Sequence, residues 1–91
     1  MTTRILVIED DRTFLKLLVG DLEMEGFTVT TAFDGEAGLD LARRTKPDAI
    51  VLDLMLPKLN GYDVCRALRA DGDDVPILML SAKGGRLASV P

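Results

Sequence analysis

The sequence predicts an α/β domain, a doubly wound parallel sheet with helices on both faces. Three observations carry that expectation. Short runs rich in branched apolar residues recur along the chain, segments of helical spacing separate them, and three of the four runs are apolar without alternation, as strands covered on both sides are. Helical connections of this length join parallel strands by right-handed crossovers. The order strand–helix–strand–helix–strand–helix–strand therefore closes into a layered sheet.

The first strand is "ILVI" at 5–8. From Asp11 to Glu25 the spacing is helical, with Phe14, Leu15, Leu18 and Leu22 as one apolar stripe that Leu17 and Val19 widen. Gly26 ends this helix, being free to adopt positive φ. The second run, "FTVTTA" at 27–32, alternates and reads as a less buried, edge strand. A second helix over 34–44 turns Ala37, Leu41 and Ala42 inward. The third strand, "AIVLDL" at 49–54, precedes a third helix over 60–70 with Val64, Cys65 and Leu68 inward. The fourth strand is "VPILMLS" at 75–81. Residues 1–82 thus form one domain, and 83–91 are expected to be an irregular tail, since "KGGRLASVP" carries no helical stripe.

At 91 residues, 47% hydrophobic and 29% charged, the chain has the composition of one small folded unit. A net charge of −4 with no basic stripe argues against a nucleic-acid surface in this chain. One cysteine allows no intrachain disulfide, which fits a reducing, cytoplasmic location. No apolar run is long enough for a signal peptide core or a membrane span. With no histidine, the chain itself supplies no histidine base, imidazole ligand or phosphohistidine.

A carboxylate in the third apolar run, Asp53, directs attention to the sheet's mouth. Chemistry in an open parallel sheet sits beyond the carboxyl ends of its strands. The first strand ends in Glu9 and Asp10, the third at Asp53. If those strands are neighbours, three acids share one pocket, and like charges there repel unless a cation joins them. The donors are hard oxygens, which favours Mg²⁺, or Mn²⁺ in its place, with the Met55 backbone carbonyl also placed to contribute. An aspartate beside such an ion can attack phosphorus to form an acyl phosphate. Ser81, ending the fourth strand, puts a hydroxyl at the same face.

Each feature has a plain reading when taken alone. Glu9, Asp10 and Asp11 can cap the first helix; Ser81 is a turn residue; "LPKLNG" is a turn into a helix; Met55 and Cys65 are core packing. The joint spacing shifts the balance: acids end strands one and three, and a hydroxyl ends strand four.

"ILVIEDD", "IVLDLMLPKLNG" and "PILMLSA" resemble the receiver domain of two-component response regulators, over about 4–82. The resemblance implies a flavodoxin-like sheet, here incomplete, with four strands in the order 2-1-3-4. It implies that Asp53 is the phosphoacceptor, taking its phosphoryl group from a sensor histidine kinase. Asp10 would bind Mg²⁺ directly, Glu9 through water and Met55 through its carbonyl. Ser81 would be the switch hydroxyl, with Pro57 and Gly61 shaping the loop after the acceptor. A signalling module, not a conventional enzyme, is the function implied.

The chain departs from the family at its end. Family members continue through a fourth helix, a fifth strand and a fifth helix, and the fifth strand ends in a lysine that pairs with the phosphoryl group. Lys83, two residues past Ser81, is not in that position. The expectation is a C-terminally truncated receiver whose fourth strand is a bare apolar edge, inviting a homo-oligomer through that edge. Two other functions fit less of the pattern. An interaction or dimerisation module, impaired in phosphorylation, is favoured by the missing last strand but not by the intact Asp10, Asp53 and Ser81 set. A phosphatase using Asp-x-Asp would need an acid where Met55 stands.

Overall fold

Eight elements follow one another in the computed structural model, which describes residues 2–80 and the backbone of 87–90. They are β1 (Arg4–Ile8), α1 (Arg12–Met24), β2 (Thr28–Ala32), α2 (Gly35–Thr45), β3 (Ala49–Asp53), α3 (Gly61–Ala70), β4 (Ile77–Leu80) and β5 (Leu87–Val90). The sheet order is β2-β1-β3-β4-β5. The first four strands run parallel in the expected 2-1-3-4 order, with Val7 level with Val51 and Leu52 level with Met79.

Pleating sorts the apolar runs onto two cores. Leu6, Ile8, Ile50, Leu52, Ile77 and Met79 face one side, where Ala42 of α2 and Val64, Cys65 and Leu68 of α3 complete a buried cluster. Ile5, Val7 and Val51 face the other, against Leu15 of α1 and the partly buried Leu18, Val19 and Leu22. Two-sided coverage explains why β1 and β3 read as continuous apolar runs. The alternating β2 lies on the sheet's edge, as its pattern implied. On the α1 side coverage stops near β3, and Leu78, level with Val51, remains 38% exposed.

Two helical expectations need correction. Phe14 and Leu17 are exposed on α1, because its seat on the sheet is narrow and Leu15, Leu18, Val19 and Leu22 fill it. In α2, Ala37 is exposed and the buried positions are Gly35, Gly38 and Ala42. The α3 expectation of Val64, Cys65 and Leu68 holds without change.

The tail and the bare edge are corrected too. Within 83–91, residues Leu87–Val90 form a strand antiparallel to β4, with Leu80 level with Leu87 and Ile77 with Val90. The edge of β4 expected to recruit a second chain is therefore occupied from within the same chain. The connection 81–86 is much shorter than the dozen or so residues that a parallel crossover takes, so the return strand is antiparallel. An unpaired row of backbone groups along β4 is the template for that pairing. No helix among the described residues is long and apolar enough to cross a membrane.

Candidate functional site

The adjacency of β1 and β3 brings their carboxyl ends together. Glu9 follows β1 and Asp53 ends β3, while Asp10 projects from the loop after β1. One carboxylate oxygen from each of Glu9, Asp10 and Asp53 lies within 4.8 Å of the others. Glu9 is 5% exposed, Asp53 6%, and Asp10 faces solvent. The opening on the Asp10 side gives the cluster a wet mouth and an apolar floor.

Each acid is held by local backbone geometry. The Glu9 N–H donates to the Ala32 carbonyl at 3.0 Å, extending the β1–β2 ladder to the strand tip. Its carboxylate accepts the Asp11 N–H at 3.1 Å. Asp53 Oδ1 accepts the Met55 N–H at 3.4 Å. Asp11, not Glu9 or Asp10, caps α1: its carboxylate accepts the N–H groups of Thr13 and Phe14, each at 3.1 Å. The capping account of the three acids thus holds for Asp11 and leaves the other two to the pocket.

Electrostatics marks the cluster as strained without a counter-charge. Burial pushes the Glu9 carboxyl up to about 7, against its ordinary 4.5, with hydrogen bonding to Asp10 and the charge of Asp53 adding to the rise. The backbone hydrogen bond to Asp11 opposes that rise. Among the described residues, no lysine or arginine forms an ion pair with any of the three. Three oxygen donors with no thiolate or imidazole, and no ion pair to a cation among the described residues, fit a hard divalent ion such as Mg²⁺.

Met55 is 68% exposed, so its side chain is no part of the core; any role toward a cation falls to its backbone. The Pro57 carbonyl accepts from Leu59 N–H at 2.8 Å and Gly35 N–H at 3.3 Å. Gly61 opens α3, and its N–H donates to the Leu54 carbonyl at 3.0 Å. A Cβ there would lie 2.6 Å from the Asp53 carbonyl oxygen, so only glycine lets α3 start this close to the end of β3. Ser81 lies outside the described residues.

Sequence reasoning missed two residues at the edge of this site, Gly35 and Gly38. The signal was present: "DGEAG" places two glycines three apart in the first turns of a helix, where each is unfavourable unless space demands it.

Comparisons with known proteins bear on the fold and the family. The chain is 49% identical over 83 residues to response regulator MprA of Mycobacterium sp. (strain KMS), and 48% identical to MprA of Mycobacterium tuberculosis (strain ATCC 25177 / H37Ra). Those matches cover 91% of this chain and 36% of the relatives, so the chain spans just over a third of their length. Among solved structures, the receiver domain of the Francisella response regulator 1452 superposes with a TM-score of 0.87 at 32% identity, covering 91% of this chain and 69% of that one. A response regulator from Chloroflexus aurantiacus gives 0.86 at 34%, covering 92% and 70%. A family model of the response regulator receiver domain matches residues 5–89, a span holding both strand tips and the loop after Asp53; the chain belongs to that family.

Proposed function

We propose that this chain accepts a phosphoryl group on Asp53 from the phosphohistidine of a sensor histidine kinase, with Mg²⁺ as cofactor. The observation that carries the proposal is the convergence of Glu9, Asp10 and Asp53 at the mouth of β1 and β3. Asp10 and Asp53 would hold the ion directly, Glu9 through water and Met55 through its backbone carbonyl. Bound there, Mg²⁺ supplies positive charge beside the transferring phosphoryl oxygens.

The chain's own groups account for the rest. An Asp53 carboxylate oxygen forms the new bond to phosphorus as the P–N bond of the donor breaks, its electron pair remaining on the imidazole. Burial of Asp53 keeps its other flank dry, and the Met55 N–H on Oδ1 fixes one oxygen so that the other is presented. Ser81, following β4, is the hydroxyl proposed to report the phosphoryl group. A cytoplasmic location accompanies this reading.

Incubation with Mg²⁺ and a small acyl-phosphate donor, followed by intact-mass measurement, tests the proposal. One added phosphoryl group that Asp53→Asn abolishes is the expected result. No added mass on a folded protein would instead favour an interaction module that keeps the fold without the chemistry.

A further inference from the structure

We infer that the first turns of α2 position the acidic pocket, with Gly35 and Gly38 as the positioning residues that lock the acceptor loop to the strand tips. The inference rests on the phosphoacceptor reading above, and it concerns residues that offer no ligand atom of their own.

The two glycines are not there for backbone freedom, since positive φ among the described glycines is confined to Gly26 and Gly72. They are there for close approach. A Cβ on Gly35 would lie 1.7 Å from the Leu59 carbonyl oxygen and 2.6 Å from its carbon. Those are backbone atoms of the acceptor loop, so only movement of the loop or of α2 could relieve the overlap. A Cβ on Gly38 would lie 2.4 Å from Ile8 Cδ1 and 2.8 Å from both Cγ atoms. Ile8 is the residue immediately before Glu9. One face of α2 is therefore pressed at once on the strand that delivers Glu9 and Asp10 and on the loop that carries Met55.

Polar contacts fix the same junction. The Gly35 N–H donates to the Pro57 carbonyl, and Asp34, which caps α2 through the Ala37 N–H at 2.8 Å, has its other oxygen 3.9 Å from Lys58 Nζ. Lys58 sits at φ 68, a left-handed conformation that a side-chain-bearing residue keeps only when its surroundings impose it. Leu56 and Leu59 anchor the loop in the core beneath. Met55 is thus suspended between two pinned points, Pro57 on Gly35 and Leu54 on Gly61.

If α2 sets the pocket, coupling must run both ways: a cation in the pocket must steady the α2 junction. Binding of Mn²⁺ is followed by the electron-paramagnetic signal of the free ion, on the wild type, Asp10→Asn, Gly35→Ala and Gly20→Ala. Gly20 is the control, a mid-helix glycine of α1 with nothing within 4 Å of an added Cβ. Gly35→Ala is expected to weaken Mn²⁺ binding about 10- to 100-fold, as loss of outer-shell support does, with Gly20→Ala unchanged. On the wild type, saturating Mg²⁺ is expected to slow hydrogen exchange at the Gly35 amide and not at the distant Gly72 amide.

The outcomes separate the two ideas. Absence of any Mn²⁺ binding that Asp10→Asn removes would defeat the phosphoacceptor reading and this inference with it. Tight binding by the wild type and equally by a folded Gly35→Ala would overturn the inference alone. So would a Gly35 amide indifferent to Mg²⁺, a measurement that decides the matter even if Gly35→Ala does not fold.

Discussion

Metal-free protein is expected to lose stability as pH rises through the neutral range, the reverse of ordinary carboxylate behaviour. Glu9 holds its proton to about pH 7 in the folded chain and releases it near 4.5 when unfolded. Between those values the native state binds the extra proton, so stability falls as pH climbs and the loss is complete above about 7. That gap corresponds to at most about 3 kcal/mol. For a chain of this size the loss should read as a drop of roughly 10 °C or more in melting temperature. Neither of the other resolved carboxyl or thiol shifts intrudes. Arg43 holds Asp71 below 3.8, so its contribution is already complete at pH 4.5, and burial pushes the Cys65 thiol above 9. The assay is thermal unfolding in a chelator at pH 5 and pH 8, on the wild type and on Glu9→Gln, whose amide cannot ionise. The wild type should lose stability across the interval and the variant should stay flat. Mg²⁺ should restore the wild type at pH 8, by about 2.7 kcal/mol at a hundredfold excess over its dissociation constant. An identical fall in Glu9→Gln, or a wild type that gains stability with pH, would refute the account of the pocket as a buried Glu9 and Asp53 crowded with the exposed Asp10.

Other substitutions test the scaffold. Gly20→Ala should stabilise the protein by about 0.5–1 kcal/mol in urea denaturation, since a mid-helix glycine is replaced where an added Cβ meets nothing. Asp11→Ala should cost about 1 kcal/mol by the same assay, leaving the Thr13 and Phe14 N–H groups uncapped. Leu68→Ala, at a fully buried position of α3, should cost about 2–5 kcal/mol, whereas Leu17→Ala, exposed on α1, should cost under about 0.5 kcal/mol.

The parallel core of the fold was legible because β1 and β3 are covered on both faces, and two-sided burial writes itself as uninterrupted apolar residues; β4 reads the same way although its Leu78 stays exposed. The edge position of β2 was legible for the opposite reason. Residues Leu87–Val90 were not, because little in "LASV" demands a strand; the ladder comes from the edge of β4, a tertiary partner that local pattern does not encode. The width of α1's stripe misled in the same way. Seven apolar residues fall within α1, but the sheet offers room for four, so Phe14, Leu17 and Met24 stay outside.

The site shows how far residue types alone can go. Three consecutive acids after β1 have two competing uses, capping a helix and binding a cation, and their letters do not apportion them. Geometry does: the first residue turns into the sheet's mouth, the second projects beside it, and the third turns back to cap α1. What makes that division possible is the register of β1 against β3, which levels Ile8 with Leu52 so that the next residue of each strand is an acid. A shift of one residue would reverse the pleat on β1, sending Glu9 toward a helix and an apolar side chain into the pocket. The same two-core packing that fixes this register, through Leu6 and Ile8 on one face and Ile5 and Val7 on the other, is therefore what assembles the charge cluster. In this chain the acidic pocket is a consequence of apolar packing, and core substitutions at Ile8 or Leu52 should disturb cation binding as well as stability.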